Sequence, residues 1–349
     1  MQLQSLLTQY KKIFTKKYGQ RITSEQRQAM YAIQRCRGPG SGMLQVECTQ
    51  CEHSQWQALS CGHRSCPVCQ NHETSQWLDR QKQKLLPVDY FMVGFTLPYQ
   101  LRELVRENQK IIYNLFFNSV TSTLKDFGLN PDKLDAELGL TTVLHSHARN
   151  LDYHPHIHVI VPGGGVNKKR KQWKKLKGKY LFNEFALASV FRARFIAALK
   201  EAGFTIPKKT PKKWVANVRH VGRGLPALKY LSRYLYRGVI SEKNIIANKD
   251  GQVTFKYTDN NKKTQTRTLK GEDFLQLIFQ HVLPKGFRRV RDYGFLHANA
   301  KKLLALVQLI LQVHLEEIVP RSRPVFKCRH CQSPMEIRNI IIGSRLESG

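Results

Sequence analysis

Three histidines alternate along one short run, Tyr153-His154-Pro155-His156-Ile157-His158-Val159-Ile160-Val161. In an extended strand successive side chains point to opposite faces. His154, His156 and His158 then share one face, while Tyr153, Ile157, Val159 and Val161 share the other and can pack on a core. Imidazole is the commonest metal-binding side chain near neutral pH, so the histidine face is a ready corner for an ion. With 13 His in 349 residues, one pair at this spacing carries little weight. Three, alternating with strand-forming apolar residues and followed by Gly163-Gly164-Gly165, carry more, and the run is read as a metal site.

The cysteines supply a second kind of metal chemistry. Cys48-x-x-Cys51 and Cys66-x-x-Cys69 each place two thiolates on one tight turn, and two such turns make a tetrahedral zinc cage. Cys36, His53, Cys61 and His63 are further candidates, able to swap into that cage or to build a second one. Near the end, Cys328-x-x-Cys331 is half a zinc site, and three readings stay open: a partner for Cys36 and Cys61, a weak site, or an idle pair. Met1 to Gln9 has no secretory pattern. The eight Cys are therefore expected in a reducing cytoplasm, where metal binding outweighs disulfides.

The charge names a partner. Lys and Arg number 57 against 25 Asp and Glu, a formal charge of +32. That excess points to a polyanion, nucleic acid ahead of an anionic membrane. No apolar run is long enough for a spanning helix. After the triple glycine comes Lys168, Lys169, Arg170, Lys171, Trp173, Lys174 and Lys175. Most charge runs are solvated loops. This one adjoins the histidine strand and carries an aromatic residue, which suits phosphate contacts with base stacking. Tyr230 and Tyr234 lie four apart on a helical pattern and would share a face, with Lys229, Arg233 and Arg237 around them. Aromatic residues at that spacing are usually core, but the surrounding charge is unusual for a buried helix.

Several elements must position these groups. Residues 1 to about 35 read as two helices, the first with an apolar stripe at Leu3, Leu6, Leu7, Tyr10 and Ile13 and the second capped at Thr23 to Gln26. Residues 71–86 read as a helix, and 90–98 as a buried strand. Leu101 to Leu124 reads as two helices. Thr141 to Ser146 forms a strand that pairs with the histidine strand as a hairpin. A helix over 185–202, a strand over 214–221, a hairpin over 253–269, a helix over 274–282 and a buried helix over 303–313 complete the reading.

Taken together, these stretches resemble the two-tyrosine transposases of rolling-circle insertion sequences. That family belongs to the HUH endonucleases, named for His, a hydrophobic residue, His. Cys36-Arg37, Cys48-x-x-Cys51 and Ser60-Cys61 through Cys66-Pro67-Val68-Cys69-Gln70 are similar to the family's N-terminal zinc module. Leu86 to Leu97-Pro98, Asn150 to Gly165, Tyr230-Leu231-Ser232-Arg233-Tyr234 and His281 to Leu296 resemble its later motifs. There are departures. Ser65 stands where the family usually has His, and His147 where it usually has Trp.

The resemblance implies an α+β fold, an HUH-type antiparallel sheet flanked by helices and preceded by a small zinc-binding domain. It implies a helical and zinc-ribbon-like DNA-binding domain over 1–86, a catalytic domain over 87–300 and a C-terminal helix with the Cys-x-x-Cys tail over 301–349. It implies a DNA transposase in which His156 and His158 hold Mg²⁺ or Mn²⁺. The third ligand stays open between His154 on the same strand face, His145 on the neighbouring strand, and a carboxylate or amide from elsewhere, with His154 favoured among the visible choices. Tyr230 and Tyr234 would be the nucleophiles, and Zn²⁺ would sit on the cysteines. The expected partners are single-stranded DNA and hairpin element ends, near the bacterial nucleoid. The rival readings are a nickase of plasmid or phage replication and a catalytically silent zinc DNA-binding protein.

Overall fold

The computed structural model describes residues 2–69, 71–226, 228–229, 239–259, 261–314 and 325–342. In chain order these form α1 (Leu3–Tyr18), α2 (Ser24–Arg35), β1 (Gly42–Cys48), β2 (Ser54–Ala58), α3 (Asn71–Lys82), β3 (Asp89–Thr96), α4 (Arg102–Glu107) and α5 (Gln109–Leu129). Then come β4 (Leu140–His147), β5 (Tyr153–Pro162), β6 (Gly164–Asn167), β7 (Gln172–Lys175), α6 (Glu184–Glu201) and β8 (Val215–Arg223). The last are β9 (Ile245–Lys249), β10 (Gln252–Thr258), β11 (Thr264–Lys270), α7 (Gly271–Phe279), β12 (Val290–Tyr293), α8 (Lys301–Ile310) and β13 (Met335–Ile342). The elements are α+β, as expected. By spatial contact they group into two units, one from residues 1–72, 236–282 and 318–349, the other from 73–235 and 283–317. The three consecutive segments of the sequence reading are thus distributed over two units.

The first unit starts from helix signals that can be read locally. Thr23 Oγ1 accepts the Gln26 N–H while the Gln26 side chain accepts the Thr23 N–H, a complete capping box that starts α2. The stripe of α1 buries Leu3, Leu6, Leu7, Tyr10 and Phe14. Ile13, expected in that stripe, is exposed, because the stripe steps four residues after Tyr10 rather than three. Phe14 meets Phe279 of α7 at 6.2 Å between ring centroids. Two three-stranded antiparallel sheets complete the unit, in the orders β13-β1-β2 and β11-β10-β9.

The second unit is built on a five-stranded antiparallel sheet in the order β12-β4-β5-β3-β8, which places β5 between two neighbours. Tyr153, Ile157, Val159 and Val161 project to the face covered by α5 and α6, as alternation predicts. There Phe95, Phe116 and Phe195 gather round Phe191 at centroid separations of 5.0, 5.5 and 5.8 Å. Each fully buried ring contributes about 1.5–3 kcal/mol relative to exposure, so this face fixes β5 and leaves its other face for chemistry. Asp292 of β12 accepts from Thr141 of β4 at 2.7 Å and from Lys84 at 2.5 Å, tying β4 to its outer neighbour. The triple glycine is a close approach of backbones. Cβ atoms at Gly163 and Gly165 would stand 2.8 and 2.6 Å from the carbonyl oxygens of Asp89 and Glu137.

The helix expected to be buried over 303–313 is instead largely exposed. In α8 Val307 and Gln308 are buried, with Gln308 Nε2 donating to the Gln83 carbonyl at 2.7 Å, while Leu306, Leu309 and Ile310 face out. Among the described residues no helix is long and apolar enough to cross a membrane.

Candidate metal centre

The pairing of β5 assembles the histidine cluster. His156 lies opposite His145 on β4 and opposite Thr96 on β3, and cross-strand neighbours share a face. The ring centroids of His145, His156 and His158 form a near-equilateral triangle, with separations of 5.1, 4.9 and 4.9 Å. One ring nitrogen from each lies within 4.8 Å of the others. His154, expected as the third ligand, is outside this set although it shares the strand face. Its Nδ1 is bonded to the Arg102 guanidinium. The physical reason is register: the regular pairing that starts with Thr141 opposite Ile160 runs on to His145 opposite His156, and the shift beyond it leaves His154 nearer the start of β5, where it meets the start of α4.

The electrostatics prepare these imidazoles as ligands. Burial, then the neighbouring His156 and Arg219, pushes His158 down to about 3. Burial, His156 and Arg102 push His154 down to about 4. Burial also lowers His156, and burial together with His156 and His158 lowers His145 well below the ordinary range. All four are therefore neutral at pH 7, the form that binds metal. His156 Nδ1 lies 2.7 Å from the His154 carbonyl oxygen. That oxygen can only accept, so Nδ1 carries the proton and Nε2 keeps its lone pair for an ion.

The cysteines form two clusters where one cage from Cys48, Cys51, Cys66 and Cys69 was expected. Cys36, Cys61, Cys66 and Cys69 make the first, with Sγ separations of 3.5 Å (Cys36–Cys69), 3.7 Å (Cys61–Cys69) and 3.7 Å (Cys36–Cys66). A zinc ion at ~2.3 Å from four sulfurs in a tetrahedron sets them about 3.8 Å apart, so the set fits zinc. Hydrogen bonds from the Cys61 and Cys66 thiols, opposed by burial, hold the Cys69 thiol well below the usual thiol range. The loop after β2 folds back on Cys36 at the C-terminus of α2, which takes Cys66 and Cys69 away from Cys48 and Cys51. The latter pair lies with Cys328 and Cys331. His53 and His63 join neither cluster: the His53 ring packs against that of His330 at 4.3 Å with the planes tilted by 59°, and His63 Nδ1 accepts the Ser65 N–H at 3.1 Å.

The basic run divides. β6 and β7 form a hairpin whose tip exposes Lys169, Arg170 and Lys171, and Lys175 is also exposed. Lys168 and Lys174 are ion-paired to Glu137 and Asp135 at 2.5 and 2.8 Å. Trp173, expected to stack on bases, packs instead against Phe295 at 5.7 Å and over Gly164, where a Cβ would come within 2.4 Å of its ring. Tyr230, Arg233, Tyr234 and Arg237 lie outside the described residues. The sequence reading missed Arg102 and Arg219 beside the histidines. Neither stands near them in the chain, and only the fold of α4 and the pairing of β8 with β3 bring them there.

Comparison with known proteins identifies the regions that carry the histidine cluster and the first cysteine cluster. A family model described as "Putative transposase" matches residues 139–303, which span β4 and β5. One described as "Transposase zinc-binding domain" matches residues 6–97, which hold the whole first cysteine cluster. The two together define an insertion-sequence transposase with a zinc module. The chain is 32% identical over 300 residues to "Putative transposase y4qJ" of Sinorhizobium fredii (strain NBRC 101917 / NGR234), covering 79% of this chain and 75% of that protein. It is 27% identical over 267 residues to "Transposase for insertion sequence element IS801" of Pseudomonas savastanoi pv. phaseolicola, covering 70% and 63%. No solved structure gives a significant match. The chain belongs to this family, the IS91-type insertion-sequence transposases.

Proposed function

We propose that the protein cuts and rejoins single-stranded DNA through a 5′-phosphotyrosine intermediate, moving its element by rolling-circle transposition. The observation that carries this reading is the neutral face of His145, His156 and His158, in a transposase whose sequence also holds Tyr230 and Tyr234. A divalent ion on the three imidazoles would supply Lewis-acid polarisation of a scissile phosphate. Among the described residues the cluster includes no carboxylate. Imidazole suits Mn²⁺ better than the harder Mg²⁺, so Mn²⁺ is the favoured ion of the two.

The other roles fall to side chains of the chain. The hydroxyl oxygen of Tyr230 or Tyr234 bonds to phosphorus as the P–O3′ bond breaks. Tyrosine gives up its proton, and the departing 3′ oxygen ends as a hydroxyl. The covalent link retains the energy needed to rejoin strands, and the second tyrosine allows a second cut while the first end stays attached. Arg102, braced by His154, and Arg219 add positive charge beside the cluster for the phosphate backbone. The exposed Lys169, Arg170 and Lys171 hold the strand. Zinc on Cys36, Cys61, Cys66 and Cys69 staples the N-terminal module, which reads element ends or hairpins; residues 87–300 carry the catalysis, and the site of action is the nucleoid.

The test is incubation with Mn²⁺ and labelled single-stranded element ends. A denaturant-resistant protein–DNA adduct forms with the natural chain and disappears in Tyr230→Phe combined with Tyr234→Phe. An adduct that survives the double change overturns the reading.

A further inference from the structure

We propose a second zinc site, made by Cys48, Cys51, Cys328 and Cys331, that closes the two ends of the chain into one zinc ribbon. Cys328 and Cys331 lie outside both matched family regions, which end at residues 97 and 303.

The sulfur geometry comes first. Cys48–Cys331, Cys51–Cys328 and Cys51–Cys331 are separated by 3.4, 3.6 and 3.5 Å. A disulfide requires about 2.05 Å, and a tetrahedral zinc cage about 3.8 Å. The four thiols sit at cage distance, and all are free.

The turns that carry them have matching construction. Cys48 N–H donates to the His53 carbonyl at 2.9 Å, and Cys328 N–H donates to the Ser333 carbonyl at 2.9 Å. In each turn the amide two residues on points at the first sulfur, Gln50 N–H to Cys48 Sγ and His330 N–H to Cys328 Sγ, both at 3.4 Å. The second sulfurs are also approached by hydrogen-bond donors two residues on, Cys51 by the His53 backbone and Cys331 by the Ser333 side chain and backbone. Amides aimed at sulfur stabilise thiolate charge, which free thiols in a turn do not need. Two independent Cys-x-x-Cys turns with this arrangement are two halves of one metal site.

The scaffold brings the halves together. β13 runs antiparallel to β1 from Gly42 opposite Ile342 to Cys48 opposite Met335, so both turns emerge at the same end of the sheet. Among the described residues the other polar ties of β13 are few, chiefly the Arg338–Glu47 ion pair at 3.0 Å and the Thr49 bonds to the Pro334 carbonyl. Only Met335 of that strand is buried, and the local core is Val46, Cys48, Cys328 and Met335, with Leu44 and Phe326 beside it. Cys51 and Cys328 are 277 residues apart in the chain, and closing so long a loop has an entropic cost that this small apolar cluster is poorly placed to offset. A metal bound by both turns supplies the missing stabilisation. Four thiolates with no histidine or carboxylate in the set select a soft tetrahedral ion, and zinc is the fit.

The experiment counts thiolate-bound metal in the full chain. The protein is stripped with chelator under reducing conditions and titrated with Co²⁺. The sulfur-to-cobalt charge-transfer band reports only cobalt on thiolates, so an ion on the imidazoles adds nothing to it. The band should saturate at two equivalents and bleach on adding Zn²⁺. Cys328→Ser combined with Cys331→Ser should halve it, and so should Cys61→Ser combined with Cys66→Ser. Mercurial titration of the unmodified protein as isolated should release two zinc ions per chain, which guards against a variant that fails to fold. Saturation at one equivalent, an unchanged band in the Cys328/Cys331 variant, release of a single zinc, or iron in place of zinc would each overturn the proposal. None of these readings depends on DNA cleavage.

Discussion

The third ligand is the sharpest prediction, because sequence and structure choose different residues. His145→Asn should abolish tight Mn²⁺ binding, whereas His154→Asn should leave most of it. The magnitude follows from what each ring touches. His145, 5% exposed, sits 5.1 and 4.9 Å from the other two rings, so its loss leaves two nitrogen ligands. Changing a residue that merely orients a ligand costs about 10–100-fold in metal affinity. Losing a ligand outright should cost at least about 100-fold, or roughly 2.8 kcal/mol at 1.4 kcal/mol per tenfold. His154 spends its Nδ1 on Arg102; its ring lies 5.2 Å from that of His156 but outside the three-nitrogen set, and its carbonyl, which accepts from His156, survives the substitution. Its replacement should cost about tenfold or less, at the low end of that orienting range. Calorimetry or the electron paramagnetic resonance signal of free Mn²⁺ gives both affinities, and thermal melting shows whether each variant is folded. Equal losses in two folded variants, or a larger loss at His154, would refute the cross-strand assignment.

Four further outcomes follow from the structure. His154 and His158 are pushed down to about 4 and 3, below the ordinary value near 6.5 that the unfolded chain has. The unfolded state therefore binds more protons through that window, so metal-free stability is complete above about pH 6.5 and falls as pH drops toward 4. Urea midpoints between pH 7 and 5 test the sign, and a flat or rising midpoint on acidification would contradict it. Lys169→Ala, Arg170→Ala and Lys171→Ala together should reduce the salt slope of single-stranded DNA binding by about 2. Trp173→Ala should instead lower the melting temperature, by about 2 kcal/mol of stability for a half-buried indole; a stable Trp173→Ala variant with weakened DNA binding would restore the stacking role. Gly294 has φ +62, and a Cβ there would come within 1.8 Å of the Leu138 carbonyl oxygen. Gly294→Ala should therefore cost more than about 3 kcal/mol, beyond the usual single-substitution range, and a melt within a degree or two of the natural chain would show that contact to be wrong.

Local signals were legible where a side chain's role is decided by its immediate neighbours. The alternation from Tyr153 to Val161 placed one face on the core and the other on the histidines, and both faces are found. The capping box at Thr23 and Gln26 was equally local. What could not be read were the groupings set by register and chain return. His145 reaches the cluster through the cross-strand register of β4 and β5, which no spacing rule reveals. The cysteines were paired by proximity in sequence, Cys48 and Cys51 with Cys66 and Cys69. The fold instead returns one pair to the end of α2 and hands the other to a tail that β13 delivers from 277 residues away. Trp173 looked like a stacking residue because its neighbours are basic, but Gly164 leaves a space that its ring fills.

The central claim, tyrosine attack on a phosphate beside the histidine cluster, meets its most direct test in the linkage itself. The adduct formed with Mn²⁺ is digested with nuclease and protease, and the modified peptide is sequenced by mass spectrometry. The account predicts a nucleotide joined through its 5′ phosphate to Tyr230 or Tyr234, absent when His156 is replaced by Ala in a folded protein. A nucleotide on any other residue, a 3′ linkage, or an undiminished adduct without His156 would contradict it.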